Sequence, residues 1–187
     1  MASVRKCLAL VFIIVCALIP RQAHAQLSAG EYQIKAAFLH HFARFVEWPA
    51  EVLPPNAPIV IGLIGDDPFG HVIDDVIRHD ARVNGHPIVV KRLRWNDTLP
   101  MCHIVFISSS EIEHLEEIFA SLRGFSVLTV GDIDRFAQRG GMIELITNDG
   151  HVRFDINSAH SAAVRLRISS KLLQLAHVVS ASDRGMP

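Results

Sequence analysis

Ile59-Val60-Ile61-Gly62-Leu63-Ile64 is an uninterrupted apolar run with no charge in it. It is too short for a buried helix and lacks the alternation of a half-wet strand, so it predicts a strand covered on both faces, as in a parallel sheet. Ile104 to Ser108 has the same character and is expected to be central as well. Downstream of the first run, Gly65-Asp66-Asp67-Pro68 turns the chain. Asp67 is expected to cap, and Pro68 to open, a helix whose apolar side is Val72, Val76 and Ile77. A second strand, Ile88 to Leu93, follows the Asn84-Gly85 turn. Ser110 is placed to cap a helix from Glu111 to Leu122, with acids early and Arg123 at its end, as the helix dipole prefers. Val127 to Val130 is the next strand, and a short helix is expected around Asp132 to Ala137.

The period then changes. Met142 to Thr147 and His151 to Ile156 flank Asn148-Asp149-Gly150, the pattern of an antiparallel hairpin. In its second strand Val152, Phe154 and Ile156 alternate with Arg153, Asp155 and Asn157, which predicts one buried and one wet face. A long C-terminal helix is expected from about Ser158 to Val179, with Val164, Ile168, Leu172, Leu175 and Val179 on its core side and Arg165 and Lys171 opposite. At the other end, Ser28 and Glu31 form a capping box for a helix in which Tyr32, Ala36, Leu39, Ala43 and Val46 make an apolar stripe, widened by Phe38, Phe42 and Phe45. Trp48-Pro49 stops it. Residues 50–57 link it to the first strand. Strands alternating with helices imply the α/β class: a mainly parallel sheet flanked by helices, with the hairpin adding antiparallel strands.

The 187 residues are 50% hydrophobic and 20% charged, which suits one globular domain. Leu8 to Ile19 is an apolar stretch of 12 residues, preceded by Arg5 and Lys6 and followed by Ala23-His24-Ala25. That order is a secretory signal peptide, expected to be cleaved after Ala25; a membrane-spanning helix needs about 20 residues. Residues 26–187 then form a single domain, with 180–187 a frayed tail. The processed chain has 15 Lys and Arg against 19 Asp and Glu. Its densest cationic stretch, Lys91-Arg92-Leu93-Arg94, is one short run, which argues against nucleic acid as a partner. Cys102 is its single cysteine, beside an apolar strand, and is expected to be buried and inert.

No stretch of the chain spells out a reaction. The turn after the first strand departs from GxGxxG, and Asp66 and Asp67 would repel a phosphate, so no nucleotide cofactor is expected there. The ten histidines of the processed chain lack HExxH or a one-face HxxxH with a nearby acid, so no metal site is expected. The serines at 108–110 lack the glycine frame of GxSxG. Adjacent acids such as Asp74-Asp75 and Glu116-Glu117 diverge on a helix. These readings favour binding or regulation over enzymatic turnover.

Glu31-Tyr32-Gln33-Ile34-Lys35-Ala36-Ala37-Phe38 with Phe42-Ala43-Arg44-Phe45-Val46-Glu47-Trp48-Pro49 resembles the opening helix of the YfiR-like (DUF4154) family. Gly140-Gly141-Met142-Ile143, Val152 to Asn157 and Leu166 to Ala176 are similar to the family's closing segment. The resemblance implies a Rossmann-like sheet in a periplasmic, often dimeric protein. Such a protein represses an inner-membrane diguanylate cyclase through the cyclase's periplasmic portion, lowering cyclic-di-GMP signalling, and an outer-membrane lipoprotein sequesters the repressor. The paired cysteines of some members are missing, so disulfide control is not expected. Contact of this kind needs surface rather than chemistry, and Arg153, Asp155 and Asn157, with Arg165 and Arg167, are the candidate partner-binding residues. The alternative is a periplasmic sensor module with a small-molecule pocket at the strand ends.

Overall fold

A computed structural model describes residues 30–179. The signal peptide, the capping role of Ser28 and the C-terminal tail lie outside the described residues. Helix α1 (residues 30–45) leads into strand β1 (Val46–Glu47), then β2 (Ile59–Ile64), α2 (Val72–His79), β3 (Arg82–Val83) and β4 (His86–Leu93). Next come β5 (Ile104–Ile107), α3 (Leu115–Ser121), β6 (Leu128–Gly131), β7 (Ile143–Asn148) and β8 (His151–Ile156). The chain closes with α4 (Ser158–Ala163), β9 (Arg167–Ile168), α5 (Ser170–Leu175) and β10 (His177–Val178).

The two solidly apolar runs are the centre of the main sheet. Every residue of β2 and of β5 is buried, and β2 pairs in parallel with both β4 and β5. β5 pairs with β6 and β6 with β7, also in parallel. The parallel strands thus lie in the spatial order β4-β2-β5-β6-β7, a doubly wound order whose direction of winding reverses between β2 and β5. The Asp149-Gly150 turn, with both residues at positive φ, closes the β7–β8 hairpin with Asn148 opposite His151. β10 adds in parallel at the far side of β8.

Two apolar layers follow from the strand alternation. Ile59, Ile61 and Leu63 face α1 and α2, where Leu39, Phe42, Ile73 and Ile77 are buried. Val60 and Ile64 face α3 and the loops, where Leu99, Leu115, Ile118 and Phe136 are buried. Cys102 belongs to this second layer, with its sulfur at the position that a side chain on Gly62 would need. Burial pushes its thiol up to about 11, so little thiolate forms near neutral pH. Cys102 is therefore expected to resist an aromatic disulfide reagent at pH 8 and to react fully once urea unfolds the chain. Rapid labelling of the native protein would contradict this burial.

Several sequence expectations need correction. The long C-terminal helix is broken. Arg165 takes a left-handed conformation (φ 60°), and its N–H and that of Leu166 bond back to Ala162 and Ser161, a Schellman-type stop. Ser169 then caps α5 by accepting from the Leu172 N–H. Leu175, expected in the core, is 75% exposed. The Asp132–Ala137 helix is replaced by turns: Arg135 takes a left-handed conformation (φ 57°), and the Glu144 carboxylate takes the N–H groups of Arg135 and Ala137 while the Phe136 N–H bonds back to Ile133. α2 starts at Val72, not Pro68: Asp67 accepts from the N–H groups of Phe69 and Gly70 and so organises a turn of its own. The helix expected over Glu111–Leu122 begins as a 3-10 turn, Ser109–His114, capped by Ser108 rather than Ser110.

Candidate functional site

In a doubly wound sheet the crevice at the carboxyl ends of the strands, where the winding reverses, is the usual ligand position. Here that crevice, between the ends of β2 and β5, is filled by the chain itself. Gly65 adopts φ 87°, and a Cβ there would collide with Ser110 Oγ and the Glu111 side chain. Ser110 Oγ accepts from the Asp66 N–H at 3.0 Å. Beside it Arg92 pairs with Asp67 at 2.8 Å and with Asp74 at 2.7 Å.

Farther along the same edge, beyond β6 and β7, lies an ionic cluster that the sequence did not announce. Lys35, its side chain 4% exposed, pairs with Asp132 at 2.7 Å and with Glu31 at 2.6 Å. The Tyr32 hydroxyl donates to Asp132 at 2.9 Å, and Thr147 donates to Glu31 at 2.8 Å. Burial and the Asp132 charge push the Tyr32 phenol far upward, so it remains a proton donor. Every polar group is matched inside the cluster, which leaves a clasp holding α1 to the strand ends.

A second clasp holds the loop between β6 and β7. The Glu144 carboxylate accepts from the N–H groups of Arg135 and Ala137, at 3.0 and 3.1 Å. Desolvation, the largest influence, raises its pKa despite those bonds. Asn157 Nδ2 donates to the Ala137 carbonyl at 3.0 Å.

The five residues selected as partner-binding do not form one patch. Arg153 is exposed on the face of β8 opposite Phe154, which packs on α1. Asp155, on the same side, is mostly covered and lies 3.4 Å from His177 Nδ1. Asn157, expected on that wet face, is buried, because it caps α4 and clasps the loop. Arg165 and Arg167 lie elsewhere, lining a cleft of about 540 Å³ with Glu47, Trp48 and Glu51. Arg165 donates to Glu51 at 2.6 Å, and Arg167 is in register with Glu47 across β1 and β9.

Two further concavities went unseen in the sequence because each is assembled from distant segments. One, of about 630 Å³, runs between α1 and α2 and is lined by His40, His41, His71 and His79. His40 Nε2 donates to the Asp80 carbonyl at 2.9 Å. Burial and the neighbouring His40 and Arg44 hold His41 below the usual imidazole range. Among the described residues, no three His, Cys, Asp or Glu side chains converge as metal ligands would. The other, of about 980 Å³, separates α3 from α4 at the amino ends of β6 and β7.

A family model described as YfiR/HmsC-like (DUF4154) matches residues 32–177, from the first helix to the last strand. Comparison with curated proteins finds no match.

Proposed function

Because the chain belongs to the YfiR/HmsC-like family, we propose that it is a periplasmic regulator of cyclic-di-GMP signalling that acts by contact rather than by catalysis. The protein engages the periplasmic portion of a membrane-bound diguanylate cyclase and favours its inactive state. A ligand of this kind needs only a difference in affinity for the two states. An outer-membrane lipoprotein would relieve the repression by mass action.

The family match over 32–177 carries the reading. The filled crevice at the strand ends supports it, since Ser110 and Glu111 occupy the place where such sheets hold a small molecule. Arg165 and Arg167 are the predicted docking residues that remain both exposed and adjacent to a cleft.

Deleting the gene is expected to raise cyclic-di-GMP and biofilm, with both restored by the intact gene. Unchanged cyclic-di-GMP after deletion would overturn the reading. The double variant Arg165→Glu, Arg167→Glu is expected to accumulate normally and fail to restore repression. Full repression by that variant would remove the cleft beside Trp48 as the docking surface while leaving the regulatory role intact.

A second reading, a sensor of small molecules, is favoured by the groove between α3 and α4, whose volume is at the upper end of the range of ligand sites, about 300–1,000 Å³.

A further inference from the structure

We propose that the outer edge of β4 is a docking site for an extended acidic segment of another protein, which adds to the sheet as a further strand. β3 covers that edge only at its start, pairing Arg82 with Pro87 and Val83 with His86. The Ile88 N–H donates to the Ala81 carbonyl on this side, whereas the Leu93 carbonyl accepts from the Gly65 N–H on the β2 side. The N–H and C=O groups of successive residues point to alternate edges of a strand, so those of Val90 and Arg92 point outward with those of Ile88. Among the described residues, no backbone group bonds to them there. Two donors and two acceptors in extended geometry are therefore open to an incoming strand, the arrangement by which sheet edges bind extended peptides.

The side chains flanking the edge select the occupant. On the α2 face Val90 packs on the core, and Arg92 is already paired with Asp67 and Asp74. On the opposite face Val89 is 40% exposed, and Lys91 Nζ lies 3.6 Å from the sulfur of Met101, itself 49% exposed. An added strand sets alternate side chains beside Val89 and Lys91, where an apolar residue and a carboxylate two positions apart are the matching cross-strand neighbours.

A second copy of the chain is a poorer match. The antiparallel register that uses both open residues of both copies pairs Val90 with Arg92, and it sets Lys91 directly opposite the same residue of the other copy. Like charges so placed are destabilising. An acidic strand turns the same position into an attraction. This edge shares no residue with the cleft of Arg165 and Arg167, and the inference does not rest on the regulatory reading.

The probe is the peptide acetyl-Val-Thr-Glu-Thr-Val-amide, which offers the same pattern in either strand direction, added to the purified processed protein. Amide exchange followed by NMR is expected to be fast at Val90 and Arg92 and slow at Val89 and Lys91 in the free protein. With peptide at about ten times its Kd, exchange at Val90 and Arg92 should slow about tenfold, as one molecule in about eleven stays free. Replacing the peptide's Glu by Lys should weaken binding about fivefold, and Lys91→Glu in the protein should reverse that preference. Two further peptides carry N-methyl groups, one on both Thr residues and the other on Glu and the second Val. Because only alternate N–H groups of an added strand face β4, one of the two should bind and the other should not. Slow exchange at Val90 and Arg92 without peptide, protection elsewhere alone, or binding by both methylated forms or by neither would overturn the site. Dimerisation that protects the same two amides without peptide would assign the edge to a second copy instead. Cyclic-di-GMP in the deletion strain is independent of all these outcomes, so failure here and failure of the regulatory reading are separable.

Discussion

Lys35→Met is expected to lower folding stability by about 3–5 kcal/mol, the cost of removing one partner from a buried ion pair. The substitution preserves the apolar stem but leaves Asp132, its side chain 7% exposed, with the Tyr32 hydroxyl as its remaining partner. Glu31 at the same time loses its contact at 2.6 Å. The penalty comes from stranded charge rather than lost packing. Adding Asp132→Asn and Glu31→Gln to Lys35→Met should therefore recover most of the loss, although it removes more polar groups. Urea titrations of the single and triple variants decide it. A single variant within 1 kcal/mol of wild type, or a triple variant worse than the single, would show that the clasp does not hold α1 in place.

That clasp also shows what the sequence could disclose. The longer strands β2 and β4 to β8 and the hairpin were legible because each is specified locally, by unbroken runs such as Ile59–Ile64 and by the Asp149-Gly150 turn, whereas the two-residue strands β1, β3, β9 and β10 carry no such local pattern and were not read. The first helix was legible through its period, and Ala36, Leu39 and Ala43 are buried on it, but Val46, expected on the same stripe, is buried as the first residue of β1 instead. The C-terminal segment misled because Val164, Ile168 and Leu172 keep helical spacing by coincidence across a cap, a strand and a second helix. Ser169 and Ser170 were the local hint, since serine is a cap rather than an interior residue. The functional surface was less legible, because its parts are distant in the chain. Nothing near Lys35 points to Asp132, 97 positions away. Asn157 continues the alternation of β8 by type, yet it has left the strand and turned inward to serve as a cap.

The loop between β6 and β7 is where the next largest effect is expected, because its conformation is set by one ring. Phe136 is fully buried, and its ring lies against Gly131, where a Cβ would come within 2.8 Å of ring carbons, and still more closely against Gly141. Arg135 at φ 57° and Gly140 at φ 119° keep the backbone out of a helix, while Glu144 and Asn157 bond its peptide groups. Phe136→Ala should cost about 3–5 kcal/mol as a large-to-small change in the core. Gly141→Ala should cost about 1–3 kcal/mol or more, because its methyl has no room beside the ring. If the ring is the obstacle, the two effects cannot add: with the ring gone, the methyl enters space already emptied. The double variant is therefore expected to be no less stable than Phe136→Ala alone, a coupling measurable by urea titration of all four proteins. Additive losses would mean that Gly141 is required for its backbone instead. Retention of wild-type stability by Gly141→Ala alone would mean that the ring yields to the added methyl and does not fix the loop.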